Sequence, residues 1–498
     1  MLKPLAERDV PAFSKACHFI DGQAVEGEGA PFEVGFPVTG ERLIELRAAS
    51  EAQSRAALAA ARRTFDDGVW RSKSAAERGE ILRRTADLLA ARTDELIEKI
   101  LFDNSKTRPE AHIDVLAAVA ACQREAEHAE LDQEVVLADQ RGVERRVVRE
   151  PVGVVLGLTP YNAPLMFAGV KAAPALAAGN SVVLKPSERA PLLAIELCRA
   201  AREAGMPDGV LNLIHGPVDV AAFVTGRPEV DMITLTGGTA AGTAVMRTAA
   251  PTIKNLLLEL GGKSAHIVLA DADLDRAIPA VAAGIFRNSG QRCFSGSRLV
   301  VEESVADRVE AGVAEIADRL ILGDPFDEAT QIGPLIDGQA AQAVEDFVGR
   351  AVEDGLRVGA GGGRVDELLP GAFYRPTLLV GAQRKSWAAQ EELFGPVLTS
   401  IRVADVDEAV AVANDSRYGL AGGVWSQDSE KAERVARAVR TGYLWINTYG
   451  PVFGDLPFGG YGQSGIGREA GRWGYEAYTE LKTLMRDTTG GTTAPLFT

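Results

Sequence analysis

Residues 151–188 read PVGVVLGLTPYNAPLMFAGVKAAPALAAGNSVVLKPSE, and the order of elements within them sets the architecture. Val152 to Leu158 is a short apolar run of the kind that forms a strand buried on both faces. A turn at Pro160, Asn162 and Pro164 leads into a helix to about Leu176, and Ser181 to Leu184 is a second strand. Pro151 to Val170 is apolar enough to suggest a membrane span, but its prolines, its glycines and Asn162 argue for a buried strand and a turn instead.

Beyond this stretch the alternation continues. A helix from Ala190 to Ala204, a strand at Val210 to Ile214, a helix over Val218 to Val224 and a strand at Met232 to Leu235 follow. Such βαβα order predicts a parallel sheet covered by helices, with ligands at the carboxyl ends of its strands. The second half repeats the theme. Strands at Ala265 to Leu269, Leu299 to Val301, Pro396 to Arg402 and Ala421 to Trp425 are separated by helices at Asp273 to Arg287, Ser304 to Leu320, Gly338 to Asp354, Val406 to Asp415 and Ser429 to Thr441.

Upstream, Phe19 to Leu46 holds short strands between Gly and Pro turns. Ser50 to Phe65, Ala75 to Leu101 and Asp114 to Glu130 carry helical periodicity and are expected to be plain scaffold over one sheet face. Glu134 to Arg149 alternates like a two-stranded ribbon turning near Arg141-Gly142. A lone ribbon buries too little surface to be stable, so it needs a partner, plausibly another subunit. Tyr478 to Leu484 is strand-like, and the tail after it is expected to be loosely held.

At 498 residues the chain should divide into two or three domains. A formal charge of −16 argues against nucleic acid or an anionic membrane as the main partner. The four cysteines, Cys17, Cys122, Cys198 and Cys293, lie far apart without CxxC spacing, so neither a disulfide framework nor a zinc site is expected. The N-terminus lacks the apolar core of a signal peptide, and a cytoplasmic protein is expected. None of the five histidines has metal spacing.

Cys293 stands apart from the other cysteines because it lies among small, turn-forming residues, Asn288-Ser289-Gly290-Gln291-Arg292-Cys293-Phe294-Ser295-Gly296. Thr236-Gly237-Gly238-Thr239-Ala240-Ala241-Gly242 follows a strand and opens a helix, a plausible seat for a pyrophosphate. Gly261-Gly262-Lys263-Ser264 ends like a P-loop, but the required earlier glycine falls on Leu257, which excludes a triphosphate hydrolase. No GxSxG occurs, so a serine hydrolase has no nucleophile elbow.

Together with Leu258-Glu259-Leu260-Gly261-Gly262-Lys263, Glu391-Glu392-Leu393-Phe394-Gly395-Pro396, Pro457-Phe458-Gly459-Gly460-Tyr461 and Ser464 to Glu469, these segments resemble the aldehyde dehydrogenase superfamily over almost the whole chain. The resemblance implies an α/β fold with two Rossmann-like open parallel-sheet domains and a small β oligomerisation element. The cofactor domain would comprise residues 1–130 and 151–259, the catalytic domain 260–450, and the oligomerisation element 131–150 with 478–498.

It also implies a reaction: Cys293 adds to an aldehyde, Asn162 and the Cys293 backbone N–H hold the oxyanion, hydride leaves for a nicotinamide, and Glu259 activates the water that hydrolyses the thioester. Lys171 and Glu469 match a proton-relay pair. Cofactor contacts would come from Thr159, Pro160, Tyr161, Lys185, Ser187, Glu188, Gly237, Gly238, Gly242, Leu260, Gly261, Glu392 and Phe394. Glu188 can accept from both ribose hydroxyls and repel a 2′-phosphate, which favours NAD over NADP. The substrate tunnel would be lined by Ala163, Phe167, Val170, Arg287, Arg292, Phe294, Val452 and Phe458.

Each assignment has a plainer alternative. Glu259 can be a half-buried carboxylate paired with a cation, Lys171 and Glu469 a structural salt bridge, Asn162 a turn residue, and the two arginines partners of surface carboxylates. Gly462 and the run Asp103-Asn104-Ser105-Lys106-Thr107 depart from the family pattern and are expected to leave the thiol chemistry untouched. The competing functions are an acylating dehydrogenase using coenzyme A, which Glu259 argues against, and a non-catalytic NAD-binding structural protein. The expected partners are a small aldehyde and further copies of the chain, as a homodimer or homotetramer.

Overall fold

Val154–Thr159 is buried at every residue and sits inside an eight-stranded sheet. The molecule is described here from a computed structural model covering residues 2–131, 134–140 and 142–490. Parallel to this strand lie Ser181–Pro186 and then Leu211–Leu213 on one side, Met232–Thr236 and then Asn255–Glu259 on the other. The chain therefore reverses its direction of travel between Val154–Thr159 and Met232–Thr236, which opens a crevice beyond their carboxyl ends. Antiparallel strands finish the edges: His18–Ile20 and Gln23–Val25 on one side, Gly465–Ile466 on the other.

A seven-stranded sheet forms the second half, in the order Arg357–Ala360, Thr377–Val380, Val397–Val403, Arg298–Glu302, Ala265–Val268, Ala421–Trp425 and Tyr443–Ile446. All its pairings are parallel except that of Arg357–Ala360. Each sheet has its own apolar core, but the chain crosses back at the end: Tyr475 and Tyr478 are buried in the core of the first sheet.

The first two helices start where the sequence provides caps. Ser50 with Gln53 and Ser74 with Glu77 form reciprocal capping boxes for Glu51–Asp66 and Ala75–Ala90. Two expectations need correction. The helical region from Ala75 to Leu101 is two helices, Ala75–Ala90 and Thr93–Asp103, with the Thr93 hydroxyl donating to the Ala90 carbonyl at the break. The helix expected from Ala190 begins at Ala194, because residues before it are used as a loop whose Leu192 N–H donates to Asp103.

Glu134–Gln140 and Val143–Pro151 form the ribbon, and Thr479–Asp487 pairs along the second of these from Pro151 to Val143. Arg141, named for the turn, and residues 491–498 of the tail lie outside the described residues. The ribbon's partner within the chain is thus its own C-terminal strand. Val136, Leu481 and Met485 remain more than half exposed on this three-stranded sheet.

Candidate active site

The first sheet delivers its chemistry at strand ends. Thr159, Lys185, Thr236 and Glu259 each occupy the last turn of a parallel strand, and adjacent strands in register bring them to one edge. Beyond Thr236, Gly238 caps the helix Thr239–Ala249 with no side-chain acceptor, leaving the first N–H groups of the helix free of such a partner. A Cβ at Gly238 would meet nothing within 4 Å, so there is room in front of that terminus. At Gly242 a Cβ would come within 2.5 Å of Leu260, which keeps this helix and the Leu260–Gly261 segment in close contact. Lys185 Nζ lies 3.4 Å from Glu188 Oε2.

After Thr159 the chain turns through Tyr161 and Asn162 into the helix Pro164–Ala178. Ala163 at the N-cap and Phe167, Val170 and Lys171 within that helix recur at spacings of four, three and one, so they share one side of it. Lys171 is fully buried and forms an ion pair with Glu469. Glu469 is held by the bridge in which its own N–H and that of Phe458 each donate to the other's carbonyl at 2.7 Å.

The thiol is supplied differently. Cys293 lies ahead of the amino end of the strand Arg298–Glu302, on a turn that leaves the helix Leu274–Phe286. Asn288, Ser289 and Gly290 have φ of 52°, 52° and 73°, a left-handed run that suits Asn288 and Gly290 but costs energy at Ser289. Its support is tertiary. A Cβ at Gly290 would stand 2.1 Å from the Gly395 carbonyl oxygen, and one at Gly262 would stand 2.9 Å from the Cys293 carbonyl oxygen. The Asn162 amide donates to the Gln291 carbonyl at 2.9 Å, and the Asn288 amide donates to the same oxygen at 3.1 Å. The Tyr449 hydroxyl donates to the Phe294 carbonyl at 2.6 Å.

Electrostatics follow from this closeness. Burial pushes the Cys293 thiol up to about 12, with the Glu259 and Glu392 carboxylates adding to the shift. Glu259 is 3% exposed, neither carboxyl oxygen has a hydrogen-bond partner, and burial followed by the charge of Glu469 raises its pKa well above the carboxylate range. Its Oε1 lies where a Cβ on Gly459 would be, at 2.5 Å, so the glycine pair after Phe458 is what gives this carboxyl its space. Glu392 accepts from the Gly262 N–H at 3.1 Å, and burial lifts it to about 7. A Cβ on Gly261 would overlap the Glu392 carboxylate, which explains the glycine there. Phe394 has φ of 60°, and its ring meets Tyr161 edge-on at 5.9 Å.

The candidate tunnel residues divide into three groups. Phe294 and Phe458 meet at 6.0 Å, and Trp445 joins Phe294 at 5.9 Å. Arg287 and Val452 are exposed. Arg292 turns to the scaffold: its Nη2 donates to the Ala283 and Gly284 carbonyls, both at 2.9 Å, and its guanidinium lies 5.0 Å from the centre of the Phe294 ring. Its partners are the end of the preceding helix, where carbonyls lack intrahelical donors. A surface carboxylate is not among them.

The run Asp103 to Thr107 requires a correction, because it does bear on this site. Asn104 donates to the Tyr161 carbonyl at 2.7 Å, and Lys106 donates to the Asn162 carbonyl at 2.7 Å and to Asp114 at 2.9 Å. Asp114 also accepts the Met166 N–H, and Glu110 accepts the Asn288 N–H at 2.6 Å. One helix, Arg108–His128, therefore fastens both the Asn162 turn and the Cys293 turn. Gln291 adds a tie of its own by accepting the Ile336 N–H. In the sequence, the only signal was a polar run ending an otherwise apolar helix.

Among the described residues no group of side chains has the arrangement to hold a metal ion, and no helix is long and apolar enough to cross a membrane.

A profile of the aldehyde dehydrogenase family matches residues 24–484. Betaine aldehyde dehydrogenase of Bacillus subtilis is 41% identical over 475 residues, covering 94% of this chain and 97% of that protein. Its counterpart in Brucella melitensis biotype 2 is 37% identical over 479 residues, with the same coverage of 94% and 97%. A crystal structure of betaine aldehyde dehydrogenase from Staphylococcus aureus in complex with NAD+ superimposes with a TM-score of 0.93 at 36% identity, covering 96% of each chain. The fold, the ordered motifs and these likenesses lead to one conclusion: the chain belongs to the aldehyde dehydrogenase family.

Proposed function

We propose that the chain oxidises an aldehyde to a carboxylic acid with NAD, through a covalent intermediate on Cys293. The observation that carries this reading is Glu259: a buried carboxyl with both oxygens free of protein partners, near enough to the thiol to shift its ionisation. An unpaired buried carboxyl is costly to retain, and a working general base is a reason to retain it.

The residues on the first sheet fit a dinucleotide. The hydroxyls of Thr159 and Thr236 are buried without partners, and the uncapped terminus at Gly238 suits a pyrophosphate. Lys185, Ser187 and Glu188 would hold the adenosine ribose, with the Glu188 carboxylate disfavouring a 2′-phosphate. Glu392, Leu260, Gly261 and Phe394 would hold the nicotinamide end, and Pro160 and Tyr161 its approach. Bound NAD supplies the hydride acceptor, and its reduction balances oxidation of the aldehyde.

The protein's part is proton handling and charge stabilisation. A thiol raised to about 12 is a poor resting nucleophile, so its proton must leave as sulfur bonds to the aldehyde carbon. Glu259 would take it, and would release it through Lys171 and Glu469 before acting on water. The free N–H of the Asn162 amide and the Cys293 backbone N–H would hold the resulting oxyanion. Once the thioester exists, Glu259 removes a proton from water, the water oxygen bonds to the carbonyl carbon, and the carbon–sulfur bond breaks to return the thiol. Lys171 and Glu469, paired beside Glu259, would pass that proton onward.

The three-stranded sheet supports a homo-oligomer, since Val135, Leu137, Leu481 and Met485 share one face by register and leave an exposed apolar stripe on it that a second copy would cover. The activity is tested by following NADH from aldehyde and NAD without coenzyme A. Turnover without coenzyme A is expected; an absolute requirement for it would favour the acylating alternative.

A further inference from the structure

We propose that Arg189 is a positioning residue for the thiol: its side chain crosses between the two halves of the molecule and sets the Cys293 turn against the loop that carries Ser187 and Glu188. The proposal rests on the reading above, in which that loop holds the cofactor. Arg189 immediately follows Glu188, three residues past the strand Ser181–Pro186. Its backbone is fixed from the first sheet: the Arg189 N–H donates to the Ser187 hydroxyl at 3.3 Å, and the Ser187 N–H donates to the Thr159 carbonyl at 2.9 Å. The side chain leaves that sheet. Its Nε lies 3.1 Å from Asp337 Oδ2, and its guanidinium carbon lies 5.3 Å from the centre of the Tyr161 ring.

Asp337 belongs to the other half of the chain. Its second oxygen accepts the Ala340 N–H at 2.7 Å and caps the helix Gly338–Glu353. The residues before it, Gly333 to Ile336, are buried, and they grip the thiol's turn at two points. The Ile336 N–H donates to Gln291 Oε1 at 3.0 Å, and the Gly333 carbonyl accepts the Ser289 hydroxyl at 2.7 Å. Ser289 is the costly left-handed residue of that turn, so the grip falls where the backbone most needs support.

These contacts close into a circuit. From Arg189 they pass through Asp337 and Ile336 to Gln291; the Gln291 carbonyl accepts from Asn162 at 2.9 Å, and Tyr161, next to Asn162, returns to Arg189 through its ring. A closed network holds its members more tightly than the separate contacts do, because no link shifts without straining its neighbours. Arg189 is the link that brings the cofactor loop into it. As a stabiliser of the fold the ion pair counts for little, since its side chains are 33% and 35% exposed. Its consequence is geometric, because displacing a reacting group by about an ångström slows a reaction by up to about 100-fold.

The test uses Arg189→Ala and Asp337→Asn, the second keeping an oxygen for the Ala340 N–H while losing the charge. The rate of the first NADH turnover should fall about tenfold in each, with KM for NAD changed by less than about threefold. The double variant should be no slower than the slower single one, whereas independent effects would multiply to about 100-fold. A second readout needs no turnover. With the circuit open, alkylation of Cys293 by iodoacetamide in the protein without NAD should quicken by about threefold or more, followed by peptide mass spectrometry. A first turnover of Arg189→Ala within about twofold of the unaltered protein's, single losses that multiply, a loss confined to KM for NAD, or an unchanged alkylation rate would each overturn the proposal. Failure of the unaltered protein to form NADH from propanal, butanal or benzaldehyde would instead overturn the oxidoreductase reading, and the alkylation comparison would still report on the circuit.

Discussion

The two sheets contribute to one site by opposite means. The first presents Thr159, Lys185, Thr236 and Glu259 from the carboxyl ends of parallel strands, where the ladder on both sides fixes each backbone. The second places Cys293 ahead of the amino end of Arg298–Glu302, on a turn with three consecutive positive φ values, suited to Asn288 and Gly290 but costly at Ser289. The first arrangement follows from the sheet itself. The second depends on residues from elsewhere: Gly395 against Gly290, Asn162 on Gln291, Glu110 on Asn288. Precision on one side is local, and on the other it is borrowed.

That contrast can be broken first at the thiol. Cys293→Ala should lower NADH formation by at least ~10⁴-fold, measured against the same preparation's NAD binding. Asn162→Ala removes the proposed oxyanion donor together with a tie to the turn, and should lower kcat by roughly 100- to 1000-fold in steady-state assays.

Gly290→Ala tests the borrowed support directly. Its Cβ would collide with the Gly395 carbonyl and its φ would be strained, so thermal or denaturant unfolding should show a loss of about 2–4 kcal/mol. Gly238→Ala, which meets open space at a strand end of the first sheet, should stay within about 1 kcal/mol. Comparable losses for the two would erase the distinction. Asn104→Ala frees the Tyr161 carbonyl and should lower kcat by about tenfold without touching the thiol, as read from single-turnover rates.

The smallest effect expected is in pH dependence. Glu392, raised to about 7 by burial, is neutral below that pH and charged above it, and the charged form is the stronger acceptor for ribose hydroxyls. KM for NAD should therefore fall about threefold as pH rises through about 7, and Glu392→Gln should flatten that profile.

What could be read from the chain alone tracks the same division. The βαβα order around Val154–Thr159 and the second set of strands are encoded by local apolar runs, and both sheets appear where those runs lie. The positions of Cys293 and Glu259 were legible because each belongs to a glycine-containing motif, and that of Asn162 because it sits between Pro160 and Pro164; the structure brings the three segments together. Arg292 was not legible: whether a guanidinium faces a tunnel or a helix end depends on where the end of Leu274–Phe286 falls in space. The Asp103 to Thr107 run was likewise read as remote, since nothing local announces that Asn104 and Lys106 reach carbonyls more than fifty residues away in sequence. Strand Asn255–Glu259, which carries Glu259, also had no clear pattern of its own, because all its neighbours on the sheet come from other segments.

The most direct measurement is of the covalent intermediate. Glu259→Gln, mixed with an aldehyde that the unaltered protein oxidises and with NAD, should give a single slow burst of about one NADH per chain: slow because the thiol has lost its proton acceptor, single because the thioester is no longer hydrolysed. Mass spectrometry should then find the acyl group on the peptide bearing Cys293. A burst absent together with an unmodified Cys293, while the unaltered protein turns over the same aldehyde, would contradict the covalent route and the role given to Glu259.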